Sequence, residues 1–156
     1  MEKPGQLANR FREVILDGKW IANTNFKHRL SDVTWQQATT KVGSLNTLAM
    51  LAFHINYYIG GVLNVFEGGE LEIRDKYSYD LPEISSQEDW EKLLNEFWSN
   101  SEKFADHVER MSEEQLDQVF VKEAYGTYRR NIEGMIEHSY YHLGQVSLVK
   151  KMVLEL

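Results

Sequence analysis

The sequence predicts an all-α fold, a four-helix bundle with crossover connections, and three observations predict it. Only two prolines, Pro4 and Pro82, occur in 156 residues, so long helices are permitted. Four segments carry apolar residues at helical spacing. Two of those segments open on a serine able to cap a helix N-terminus. Amphipathic helices in one small chain bury their stripes by packing on one another, which is the logic of a bundle.

The first segment, residues 3–17, places Leu7, Phe11, Val14 and Ile15 on one helical face and stops at Gly18. The second, residues 44–67, has Ser44 as its expected N-cap and ends at Gly68-Gly69. It is apolar on most faces, which belongs in the middle of a bundle or against a second subunit. The third begins at Ser85-Ser86, where Ser85-x-x-Glu88 and Ser86-x-x-Asp89 both resemble a capping box. Trp90, Leu93, Leu94, Phe97, Trp98, Phe104 and Val108 follow in helical register. The fourth, residues 127–152, carries Ile132, Met135, Ile136, Leu143, Val146 and Val149 as one stripe. Residues 19–43 are expected to hold one or two short helices, and Ser112-x-x-Gln115 to cap another. The linker GGELEIRDKYSYDLPEISS is rich in turn formers and aromatic residues and is expected to run in extended pieces over one end of the bundle. Linkers of this length allow crossovers.

The length fits a single domain spanning residues 1–156. With 24 Asp+Glu against 17 Lys+Arg the formal net charge is -7, and the positive charges are scattered. That pattern is a poor match for nucleic acid, so none is expected as a partner. There is no cysteine, which excludes disulfides, thiolate metal ligands and a cysteine nucleophile. The charged N-terminal stretch does not read as a signal peptide, and no run of about 18 apolar residues is seen. A cytoplasmic location without membrane contact is the expectation.

The chemistry concentrates in histidines. His138 and His142 stand four apart in EHSYYHLGQ and project from one side of the fourth helix. By spacing alone the pair is open to core, surface or metal readings. His54 lies in the most apolar segment, inside LAMLAFHINYYIGG, where a histidine needs partners for both ring nitrogens. A metal shared by His54, His138 and His142 accounts for all three. Three imidazoles leave coordination positions open, as in catalytic zinc sites. The pair is not a zincin motif, because Ser139 stands where H-E-x-x-H has its glutamate. His28, in a basic cluster, and His107, in a polar stretch, are left as surface residues. Gln145, one turn beyond His142, is a candidate to orient a ring, against donation to a neighbouring helix. Tyr57, Tyr58, Tyr140 and Tyr141 flank the histidines as pocket or core, and Glu137 is expected to face away.

One histidine in the second long helix followed by HxxxHxGQ in the fourth resembles the DinB-like (DinB/YfiT) superfamily of bacterial metalloproteins. Here the matching residues are His54, His138, His142, Gly144 and Gln145. YSYDLPEISSQEDWEKL looks like one subgroup of that family. The resemblance implies a four-helix bundle, often dimeric, with a divalent ion, commonly zinc or nickel, on the three histidines. It also implies, for some members, thiol-dependent transferase or isomerase activity with a low-molecular-weight thiol such as bacillithiol or mycothiol. No thiol-binding or substrate motif matches residue by residue, so the catalytic residues and the small electrophilic substrate stay open. Two function classes are therefore carried: a metal-dependent enzyme, transferase or hydrolase, and a non-catalytic metal-binding or stress-related structural module. A homodimer is expected from the apolar second segment, from aromatic exposure in WSNSEKF and from the family habit.

Overall fold

A computed structural model describes all 156 residues. Four long helical elements form the frame. Helix α1, Pro4–Arg12, continues as a π-turn over Glu13–Asp17 and stops where Gly18 turns extended. Helix α4 spans Leu48–Phe66, α5 spans Gln87–Arg110 and α7 spans Tyr128–Leu154. Between α1 and α4 lie the short helices α2, Phe26–Leu30, and α3, Trp35–Ala38. Helix α6, Glu113–Leu116, follows α5, and no strand forms.

The main packing pairs are α1 with α5, α5 with α4, α4 with α7, and α7 with α1. Consecutive frame helices α1 and α4 are therefore diagonal, and so are α5 and α7. Two of the three connections cross the bundle, and only the linker from α4 to α5 joins neighbours. This is the crossover topology that the linker lengths allow.

The apolar stripes sit where the sequence puts them. Leu7, Phe11, Val14 and Ile15 are fully buried, as are Ile132 and Val146. Phe11 of α1 meets Phe104 of α5 with ring centroids 4.4 Å apart, and Phe26 meets Phe97 edge-on. Each such ring contributes about 1.5–3 kcal/mol by leaving water. Trp90 is fully buried and its Nε1–H donates to the Val33 carbonyl at 2.9 Å, tying α5 to the α2–α3 connection. Buried Arg129 is satisfied by Asp117 and the Glu2 carbonyl.

The caps follow the serine and threonine signals. Ser86 accepts from the Asp89 amide, Ser112 from Gln115 and Thr127 from Arg130. The second helix differs from expectation. Its cap is Thr47, not Ser44, and Thr47 Oγ1 accepts from the Met50 amide at 3.1 Å. Gly43 adopts φ +54°, a left-handed conformation suited to glycine, and Ser44 lies with it in a turn closed by the Leu45 amide donating to the Val42 carbonyl at 3.0 Å.

Two further expectations change. Trp98 and Phe104 of WSNSEKF are buried in the core, so this stretch exposes no aromatic patch. Helix α4 is long and apolar enough by composition to cross a bilayer, with a mean hydropathy of 1.3 over its best window. Its apolar side chains instead form the bundle core, and Asn64 is its one exposed residue. The linker over α4 runs without strands, through a single 3-10 turn at Asp75–Tyr77. Gly61 lets it approach: a Cβ there would stand 2.3 Å from Ile73 Cγ2.

Candidate metal centre

Helix α4 brings His54 and helix α7 brings His138 and His142 to one point between them. On α4, His54 falls in the buried register of Leu51, Ala52 and Ile55. On α7, His142 is buried beside Leu143 and His138 is half-buried one turn earlier. The rings converge through Nε2. His138 Nε2 lies 3.0 Å from His142 Nε2 and 3.2 Å from His54 Nε2.

The opposite edges of two rings are fixed. His142 Nδ1 lies 2.6 Å from Gln145 Oε1, and His54 Nδ1 lies 3.3 Å from the Ser78 carbonyl. The Ser78 carbonyl accepts, and so does Gln145 with its amide oxygen turned to the ring, so Nδ1 carries the proton in each ring. Each Nε2 then presents a lone pair to His138. One His138 proton cannot satisfy two such acceptors in full. Protonating the cluster is opposed as well. Burial is the largest cause that lowers the pKa of all three histidines, and it takes His138 down to about 4. Neutral imidazoles with facing lone pairs are the donor set that a divalent cation needs. The spacing of His138 from each of the other two also fits. Two imidazole nitrogens about 2.0–2.1 Å from one zinc ion lie roughly 3.0–3.4 Å apart.

The linker roofs this cluster. Tyr57 Oη accepts from the Arg74 amide at 2.8 Å and donates to the Arg74 carbonyl at 3.1 Å. Tyr58 Oη donates to Asp75 Oδ1 at 2.7 Å, while its ring stands edge-on to His54 and His138. Burial, then the Asp75 bond, pushes the Tyr58 hydroxyl up to about 12, so it stays protonated. Tyr79 stacks on His54 with centroids 4.1 Å apart, and burial raises its pKa too. Ser78, Tyr79 and Asp75 were not singled out in the sequence. The aromatic YSYD run was the available signal, but nothing in it says which helix the linker crosses.

Other expected residues separate. Tyr141 meets His142 edge-on at 4.8 Å yet is mostly exposed, and Tyr140 bonds the Trp20 carbonyl instead of the cluster. Tyr57 serves the linker. Gln145 takes the ring-orienting role. Glu137 is exposed, and His28, bonded to Thr24, lies outside the cluster, as does His107.

Against this geometry, the DinB superfamily profile matches residues 22–146. The chain belongs to the DinB superfamily. No curated protein and no solved structure matches it. The match takes in His54, His138, His142 and Gln145, so the DinB match covers the whole three-histidine cluster and the glutamine behind it.

Proposed function

We propose that this DinB-superfamily chain is a metal-dependent enzyme that holds a divalent ion, zinc or nickel, on Nε2 of His54, His138 and His142. The observation that carries the reading is the convergence of three neutral rings, two of them locked by Ser78 and Gln145 in the tautomer that ligation requires. A bound ion supplies Lewis acidity, making a water or thiol in an open position a nucleophile at neutral pH. Three protein ligands leave such a position, whereas structural zinc sites close with four. The chain's part is to hold the rings, exclude bulk water with Tyr58 and Tyr79, and keep Tyr58 protonated as a donor.

Within that reading the reaction is thiol-dependent S-transfer. Sulfur bonds to an electrophilic carbon, the leaving group departs with its electron pair, and the thiol proton passes to solvent. With no cysteine in the chain, the thiol enters as a cosubstrate, bacillithiol or a similar low-molecular-weight thiol. The protein acts in the cytoplasm as a homodimer. The dimer surface is the outer face of α7, where exposed Tyr141 and Leu148 stand seven apart and Leu45 joins Leu148 at a shallow hollow.

Titration with zinc and with nickel tests the centre. One ion per chain is expected in the parent, and His142→Ala is expected to lose it; equal affinity in that variant overturns the assignment. Adding bacillithiol to cobalt- or nickel-loaded protein tests the chemistry. A perturbed metal spectrum followed by turnover of an electrophile is expected. If no exogenous ligand perturbs the spectrum, the non-catalytic metal-binding module is the better reading.

A further inference from the structure

A cavity of about 730 Å³ opens beside the histidine cluster, between α4, α7, the α4–α5 linker and the loop before α7. Its size lies in the range of small-molecule sites. His138 and Tyr58 are part of its lining. Leu71, Ile73, Phe120 and Met135 give it an apolar body.

Two features mark it as a site and not a packing fault. The first is Gly134, in the interior of α7. A glycine there costs the helix about 0.5–1 kcal/mol relative to alanine. Gly61 has a packing reason, the close approach of Ile73. Gly134, like Gly144 further along α7, has none, because a Cβ there meets nothing within 4 Å, but of the two only Gly134 lines this cavity. The space it leaves is cavity. The second feature is charge. Arg74 and Arg130 both line the cavity, and neither guanidinium pairs with a carboxylate. In a chain with 24 acidic against 17 basic residues, two unpaired arginines on one cavity stand out. Asp75 is the one acidic residue in the lining, and Tyr58 already donates to it. The lining is therefore net positive around an apolar floor.

We propose that this cavity binds a small organic carboxylate with an apolar body, its carboxylate on Arg74 and Arg130 and its body against Ile73, Phe120 and Met135. Planar guanidinium forks match carboxylate geometry. Gly134 keeps room for the body, and His138 shares the lining. The site stands on the cavity alone and needs no metal. If the metal reading also holds, the same molecule sits within reach of the centre and is the acceptor substrate class.

Calorimetric titration of the full chain, metal-free and metal-loaded, with 4-phenylbutyrate and its neutral analogue 4-phenylbutan-1-ol tests this. The acid is expected to bind one per chain, at least about tenfold tighter than the alcohol, the weight of one charge-assisted contact. The double variant Arg74→Gln/Arg130→Gln changes only exposed side chains and is expected to lose that preference while the alcohol still binds. Gly134→Leu fills the space and is expected to abolish binding of both, with a melting temperature at or above the parent's. Equal affinity for acid and alcohol, retained binding in Gly134→Leu, or no binding of the acid up to about 10 mM overturns the proposal. Because the metal-free protein gives the readout, a failure here is separate from a failure to bind zinc or nickel.

Discussion

Replacing Gln145 by leucine isolates the contact that fixes the His142 ring. Gln145 Oε1 accepts from His142 Nδ1 at 2.6 Å, and no other partner serves that nitrogen. In Gln145→Leu two outcomes compete. If the ring keeps its proton on Nδ1, a buried donor is left without an acceptor, at a cost of about 1–3 kcal/mol. If the ring flips tautomer, the proton moves to Nε2, which faces His138 Nε2 at 3.0 Å. A cation must then displace it. Both routes weaken ligation, and the expected loss is about 10–100-fold in metal affinity, or roughly 1.4–2.7 kcal/mol. The metal-free fold should lose no more than that cost of about 1–3 kcal/mol, since the flipped tautomer can donate to His138 Nε2. Gln145 is half-buried, and the hollow beside Leu45 and Leu148 has room for a leucine. Competition titration with a chromogenic zinc chelator measures the affinity, and circular dichroism melting controls for stability. Gln145→Glu keeps an acceptor and is expected to bind at least as tightly as the parent. Parent-like affinity in Gln145→Leu, with His142→Ala inactive in binding, would refute the claim that Gln145 sets the tautomer.

Metal affinity should persist below the ordinary histidine pKa and fall as pH drops toward 4, because burial lowers the pKa of all three histidines and that of His138 lies at about 4. The metal-free protein should destabilise over the same acid range: the unfolded histidines take up protons near their usual pKa, about 6.5, while folded His138 resists until about 4, so stability is greatest above the unfolded value and drains as pH falls. Urea melts across that range check it. Trp90→Phe removes the donor to the Val33 carbonyl and should lower unfolding free energy by about 1–3 kcal/mol, read from the urea midpoint. Leu148→Asp should lower the mass of the proposed homodimer to that of the monomer by light scattering without losing metal; a monomer mass for the parent would overturn the dimer, and an unchanged variant mass the interface.

How far the sequence could be read depended on the kind of information each feature carries. Helix caps and stripes are local. Ser86, Ser112 and Thr127 each act on an amide three residues on, and Phe11, Trp90 and Ile132 repeat at the helical period, so short windows contain the reason for them. The cap at Thr47 was hidden because Ser44 offers the same hydroxyl, and only the turn at Gly43 decides between them. The pairing of His138 with His142 is local too, fixed by one helical turn, as is Gln145 behind His142.

What lies outside any window is where the elements meet. By itself the sequence determined four amphipathic helices, an acidic chain without cysteine, and three histidines able to share a cation. The tertiary structure decided that α4 faces α7, which brings His54 Nε2 within 3.2 Å of His138 across 84 residues of chain. It decided that the linker folds back over α4, so that Ser78 orients His54, Tyr79 stacks on it and Asp75 holds Tyr58. It also decided that Trp98 points inward and that Arg74 and Arg130 share a cavity. The physical reason is one of range. Hydrogen-bonded caps and helical periodicity act over three or four residues, whereas the choice of neighbouring helices follows from total burial of side chains, summed over the whole bundle.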